Sequence, residues 1–495
     1  VIRAFARALA VAALLCASLP ARAIPQVFLV QNSGWMEPFY SDPQSQFKPL
    51  VTELLMAVVQ PGDPLVLASF NQALPGAPSP RALLSATAGP ATRQAVAAAL
   101  AKLETAGKPG SSALADTDLG EALQAAITSA LGGKPGVVWL VTNNRNSPNN
   151  DQATARRNRE FYQLIHQGGA IDKALAFPLR MPVQGAHYRA NGLMVYAFAV
   201  GPEGARELDR MLAAGRIQKV ITEPPARLKP LDRDTVRLVP RRVDDAPGVA
   251  FSMAQGGLLR ADVDPGARTP AARIGWNLEN TVYPYTISGA TLSARSMLAG
   301  ENRPIALGST QVASLAPGKP EPLASTMQLP VAQIPPQWSM AALKSAGSAY
   351  VLPGTIELHL AGQKLQLSRA FRERMDALFP GDPLPDIFVP PPEVKASTAV
   401  LPIEVRVHYP LKPLVLVGGA SALALLAAAG AGYAFARPRR AFVTVEDELR
   451  TLHTRAGTTQ PIFDKAGNKV AQLKTTLFGH QLIDLREGAQ VRLGR

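Results

Sequence analysis

Between residues 24 and 215, short uninterrupted apolar runs alternate with stretches whose apolar positions recur every three or four residues. The runs at 27–31, 65–70 and 137–142 read as strands buried on both faces, because neither side carries the polar alternation of a half-solvated strand. Stretches 49–59, 91–105, 118–131, 151–167 and 203–214 read as helices, with Pro49 tolerated in the opening turn of the first. Further strands are expected at 171–177 and 193–200. This alternation predicts an α/β domain with a Rossmann-like, largely parallel sheet covered by helices on both faces. Ligands of such sheets meet the carboxyl ends of the strands, here the loops after Gln31, Phe70 and Thr142.

From 219 to 410 the helical spacing fades and prolines become frequent. Short strands are expected at 235–239, 249–253, 258–263, 272–278, 285–292, 311–315 and 355–367, with turns at Asp264-Pro265-Gly266 and Pro317-Gly318-Lys319. Their texture predicts an all-β, immunoglobulin-like sandwich region. One short helix is expected at 369–379, Asp382 and Asp386 read as a solvated turn, and Pro390-Pro391-Pro392 as part of a stiff stalk. Residues 441–495 read as a small β-rich tail with a short helix near Glu446. Val491-Arg492-Leu493-Gly494-Arg495 is similar to the opening strands of a forkhead-associated domain, but too few residues follow for phosphothreonine binding to be expected.

Two segments carry membrane signals. Residues 1–23 read as a bacterial signal peptide, with Arg3 and Arg7 before an apolar stretch and Ala21-Arg22-Ala23 as a small-x-small cleavage site. Residues 414–436 hold no charge and suffice to cross a ~30 Å hydrocarbon core as one transmembrane helix. Lys412 precedes this segment and Arg437, Arg439 and Arg440 follow it. That asymmetry predicts a single-pass protein of the bacterial inner membrane with periplasmic N-terminal domains and a cytoplasmic C-terminus. Gly418 with Ala422, and Ala428 with Gly432, have the spacing that lets two helices approach closely, so a homodimer through this helix is an expectation.

The loops of the first domain carry a resemblance. Val27-Phe28-Leu29-Val30-Gln31-Asn32-Ser33-Gly34-Trp35-Met36 resembles the first strand and first metal loop of a von Willebrand factor type A domain, written there Asp-x-Ser-x-Ser. Thr117-Asp118-Leu119-Gly120-Glu121 is similar to its second motif. Val137–Asn144 is similar to its third, a buried strand ending in Thr-Asp-Gly. The resemblance implies a divalent cation held by these loops. Yet Gln31 stands at the first Asp, Trp35 at the second Ser and Asn143 at the third-motif Asp. Only Ser33 and Thr117 keep matching ligand types, and neutral amides are poor substitutes for the anionic oxygens that Mg²⁺ prefers. The expectation is therefore a degenerate site without metal or cofactor. Its amide-rich rim of Gln31, Asn32, Ser33, Asn71, Thr142, Asn143, Asn144, Asn146, Asn149 and Asn150, with Trp35, Thr117 and Asp118, would bind a protein partner of the periplasm or cell envelope. The alternative keeps a Mg²⁺ on Ser33, Thr117 and Asp118, with Glu37, Asp116 or Asp118 replacing the lost carboxylates.

Composition narrows the classes further. The 495 residues hold 47% hydrophobic and 18% charged residues, which excludes a disordered chain. A single Cys, in the leader, excludes thiolate metal clusters and thiol catalysis. The six His are scattered with no helical pair, and no nucleophile elbow or phosphate loop is present. The +14 formal charge is spread along the chain rather than clustered, and aromatics are few, so nucleic acid is not an expected partner. A non-enzymatic, membrane-anchored binding or scaffold protein is the leading expectation. A cell-envelope enzyme with an unrecognised site is the remaining alternative.

Overall fold

The structure, a computed structural model, describes residues 23–146, 152–244, 247–254, 257–267, 271–381 and 384–494. The expected leader before Ala23, and Asn149, Asn150, Asp151 and Asp382, lie outside these residues. The fold is mixed α/β with several sheets. The chain divides into two compact units. One comprises the chain up to Ala261 with 267–331 and 352–405, the other 262–266, 332–351 and 406–495.

The first unit begins with β1 (Gln26–Gln31), α1 (Glu37–Ser41), α2 (Phe47–Val58), β2 (Pro64–Phe70), β3 (Arg81–Thr87) and α3 (Thr92–Ala101). There follow α4 (Leu119–Ala125), β4 (Gly136–Thr142), α5 (Gln152–His166), β5 (Ile171–Gln184), β6 (Arg189–Val200), α6 (Gly201–Ala213) and β7 (Ala226–Lys229). These strands form a seven-stranded sheet in the order β3-β2-β1-β4-β6-β5-β7. Only β1–β2 and β1–β4 pair in parallel; β2–β3, β4–β6, β5–β6 and β5–β7 are antiparallel. The expected largely parallel sheet is thus corrected to a mixed one. The reason is the tight turn after Gln184. A connection that short can join only antiparallel neighbours, so β6 folds back along β5 and inserts beside β4.

Alternation along the central strands splits the core in two. Phe28, Val30, Val137, Trp139 and Val141 face α2, α3 and α6, meeting Phe47, Leu54, Val96, Leu100 and Met211. Val27, Leu29, Val138, Leu140, Tyr196 and Phe198 face α4 and α5, meeting Leu119, Leu123, Phe161 and Ile165. Each such side chain contributes on the order of 1.5–3 kcal/mol by leaving water.

The chain continues with β8 (Val236–Asp244), β9 (Val249–Met253), β10 (Leu259–Val263), β11 (Ala271–Asn280), β12 (Tyr285–Leu298), β13 (Glu301–Leu307), β14 (Gln311–Leu315) and β15 (Glu321–Gln328). After α7 (Met340–Lys344) come β16 (Ala349–Ala361), β17 (Lys364–Leu367), α8 (Arg369–Leu378) and β18 (Ala396–His408). Their strands are joined by hydrogen bonds into one eleven-stranded network. The long β12 makes this connection by pairing with β13, β14, β16 and β17 in turn. Helix α8, expected from its pattern, belongs to the core of the first sheet. Phe371, Met375 and Leu378 share one face and pack with Tyr196, Phe198 and Ile387. Arg374 donates to the Pro178 carbonyl at 2.9 Å.

In the second unit α9 (Lys412–Ala436) is long and apolar enough to cross a membrane, with a mean hydropathy of 2.1. Two three-stranded sheets follow it, β20-β19-β24 and β21-β22-β23, built from β19 (Arg439–Val445), β20 (Glu448–Thr454), β21 (Thr459–Phe463), β22 (Lys469–Thr476), β23 (Gly479–Ile483) and β24 (Val491–Leu493). Val443, Val445, Ile462, Ala471 and Leu473 form their common core. The helix expected near Glu446 is instead a two-residue turn between β19 and β20. Glu446 and Asp447 have φ of 52° and 65°, the left-handed pair that such hairpin turns require and a helix forbids.

Candidate functional site

The carboxyl ends of β1 and β4 bring two of the loops together, and the loop before α4 supplies the third. At their meeting point lies the fully buried side chain of Gln31. Its Nε2 donates to Ser33 Oγ at 2.7 Å and to Thr117 Oγ1 at 3.0 Å. Its Oε1 accepts from the Thr142 hydroxyl at 2.5 Å and the Asn143 backbone N–H at 3.1 Å. Ser33 Oγ and Thr117 Oγ1 are themselves 2.5 Å apart in a hydrogen bond. One amide thus holds all three loops by offering both donors and acceptors.

A divalent cation does not suit this donor set. The hydroxyls that the resemblance assigns to the metal are engaged by an N–H donor, and no carboxylate joins them, whereas Mg²⁺ favours anionic oxygen. The three carboxylates considered as substitutes are occupied elsewhere. Glu37 accepts from Ser41 Oγ at 2.9 Å and from the backbone N–H groups of Ala186 and His187 at 2.8 and 3.3 Å. Burial raises its pKa, but these hydrogen bonds outweigh burial and hold the carboxyl below its ordinary range. Asp118 caps α4, accepting from Glu121 N at 2.9 Å, and faces Arg157 at 3.3 Å. Asp116 pairs with Lys108 at 2.8 Å. Among the described residues no three His, Cys, Asp or Glu side chains gather as a metal-holding group.

The amides expected as a partner-facing rim turn inward. Gln31, Asn32, Ser33, Thr117, Thr142, Asn143, Asn144 and Asn146 are all buried, because each is needed to satisfy a neighbour. Asn32 accepts from Asn71 Nδ2 at 3.2 Å, and Asn143 Nδ2 donates to the Trp35 carbonyl at 3.0 Å. Asn144, at φ 70°, accepts from the Tyr196 hydroxyl at 2.5 Å. Asn146 accepts from Leu119 N at 2.9 Å, which fixes the start of α4. Trp35, Asp118 and Asn71 remain partly exposed.

Two features face solvent beside this network. The Trp35 ring lies 4.4 Å from that of Tyr188, and the Arg145 guanidinium carbon lies 4.4 Å from the Trp35 ring centre, a cation–π arrangement. Separately, where Asn32 and Asn71 of the network reach the surface, a cleft of about 1010 Å³ is lined by these two with Arg81, Leu83, Ala99, Lys102 and their neighbours. Sequence reasoning singled out neither Tyr188 nor Arg145 nor the cleft. The one available signal was Tyr196, a hydroxyl inside an apolar run that had to find a buried partner. Compared with known proteins, the chain matches no family model and no curated protein.

Proposed function

We propose that the chain is a membrane-anchored binding protein with a von Willebrand factor A-like head that engages a protein partner without a divalent cation. The observation that carries this reading is the Gln31 amide, which ties the three loops together where the resemblance would put a metal. The surface left for a partner is then the Trp35–Tyr188–Arg145 stack and the cleft beside Asn32 and Asn71. Trp, Tyr and Arg are the side chains that most often anchor protein interfaces. Helix α9 anchors the chain. Its flanking Lys412, and Arg437, Arg439 and Arg440 beyond it, favour a cytoplasmic C-terminus.

The test uses the full chain in detergent. Calorimetry with Mg²⁺ and Mn²⁺ is expected to give no saturable heat; saturable binding abolished by Ser33→Ala overturns the cation-free part. A photo-crosslinker replacing Tyr188, used in intact cells, is expected to capture one defined protein with or without chelator. Capture that disappears with chelator supports metal-dependent adhesion instead, and absence of any captured protein removes the binding reading.

A further inference from the structure

Strands β22 and β23 are joined by two residues, Leu477 and Phe478, between the paired Thr476 and Gly479. Two-residue hairpin turns normally carry Asn, Asp or Gly. Here the turn presents two large apolar side chains. Phe478 is 100% exposed and Leu477 38%, so Phe478 adds nothing to the core of its own sheets, which is made of Val443, Ile462, Leu473 and their neighbours. The turn is also tethered. Arg439 donates from one guanidinium nitrogen to the Thr476 carbonyl at 3.3 Å and to the Leu477 carbonyl at 2.7 Å. Arg439 lies three residues beyond Ala436, the last residue of α9, a path of at most about 11 Å along the backbone. The turn is therefore held within an arginine side chain's reach of the end of the apolar helix. Tyr433 and Phe435 are exposed on the last turn of that helix, and Arg437, Arg440 and the exposed Lys474 of β22 add positive charge nearby.

We infer that the Leu477–Phe478 turn inserts into the interfacial layer of the membrane that α9 crosses, fixing the tail against the bilayer surface. The inference rests on the proposed membrane crossing of α9. Phe and Leu side chains on a segment flanked by basic residues bury at the boundary between headgroups and acyl chains, and the Tyr433 ring suits the same layer. The arginines beside the turn match the anionic phosphates there. An apolar turn tied by Arg439 to the end of the helix meets that boundary without any further ordering of the chain.

The test places an environment-sensitive nitrobenzoxadiazole label by single Cys substitution on a Cys16→Ser background, in the full chain reconstituted into nanodiscs of lipids brominated on their acyl chains. The sites are Phe478→Cys, Leu423→Cys in the middle of α9, and Ala466→Cys in the turn at the other end of β22. The three side chains lie on the surface, so the substitutions remove no core contact. Quenching and blue-shifted emission at 423 and 478, with neither at 466, is the expected result. Quenching at 423 with a water-like label at 478 overturns the inference and leaves the membrane crossing standing. A water-like label at 423 overturns both. Equal quenching at 466 and 478 overturns the specific role of the turn.

Discussion

Gln31 makes β1, the loop before α4 and the end of β4 dependent on one another. Replacing it by Leu leaves the Thr142 hydroxyl and the Asn143 N–H without their acceptor inside a buried site, while Ser33 and Thr117 still have each other. Two orphaned buried donors at about 1–3 kcal/mol each set an expected loss of roughly 2–6 kcal/mol for Gln31→Leu. Because the chain has more than one unit, the readout is local: hydrogen exchange of the β1 and β4 amides followed by mass spectrometry. Gln31→Asp supplies the anionic oxygen that the donor set lacks. It is expected to be less protected than the parent in chelator and to regain protection when Mg²⁺ is added, whereas the parent responds to neither. A parent chain whose exchange slows with Mg²⁺ would contradict the role given to the amide. In the sequence Gln31 was legible as a missing carboxylate and as part of a partner-facing amide rim, not as a buried tie between loops. What it does instead depends on Thr117 and Thr142, residues far along the chain, and no spacing rule announces that two such distant groups will meet one amide.

At the scale of elements, the hairpin of β5 and β6 shows what pattern alone conveys and what it leaves open. The apolar run that ends at Val200 and the one that begins at Ile171 were legible as strands, because burial on both faces needs continuous apolar residues. Their antiparallel pairing depends on the turn at 185–188, and that turn is held by Glu37 from a distant helix. Gly185 is part of the same device, since a Cβ there would meet the Glu37 carboxylate at 2.0 Å. Gly185→Ala and Glu37→Gln are each expected to loosen the β5–β6 turn, and the double variant to lose less than the sum, because both break one interaction. The pH dependence follows in sign. The folded carboxyl of Glu37 titrates below its unfolded value of about 4.3. Its contribution is fully present above that value and is lost as the pH falls through the lower folded one. Turn protection in the parent should therefore drop at acid pH, and Glu37→Gln should remove that part of the drop. Strand β3 escaped sequence reading for the opposite reason. It is an edge strand with no fully buried residue, and its only apolar run, Ala82-Leu83-Leu84, is too short to mark a strand. Helix α8 was legible as a helix but not as a lid on the first sheet, since Phe371 and Met375 mark an apolar face without saying what covers it. Phe371→Ala is expected to cost about 3–5 kcal/mol and to raise exchange in β6, a strand remote from it in sequence, which a helix packed only within its own strand region would not do.

For the whole molecule, orientation rests on a few charges rather than on the total of +14. Orientation of a single apolar helix follows the Lys and Arg within about 15–20 residues of its ends. Here Lys412 opposes Arg437, Arg439 and Arg440. These arginines differ in what else they do. Arg439 holds the Leu477 carbonyl, while Arg437 and Arg440 have no ion pair among the described residues. Neutralising Arg437 and Arg440 together, each to Gln, weakens the orientation signal and leaves the tethered turn in place. Protease added to the outside of bacterial spheroplasts is expected to digest the residues before α9 in the parent and to spare a tag placed after Arg495. In the double variant a fraction of the tag is expected to become digestible, because that fraction has inserted the other way round. Arg439→Gln alone changes the same charge count by one but also frees the turn. It is expected to alter nitrobenzoxadiazole emission at position 478 while shifting tag protection less than the double variant does. If all three substitutions act alike in both assays, the arginines serve charge alone, and the hydrogen bonds of Arg439 to the turn have no part in seating the tail.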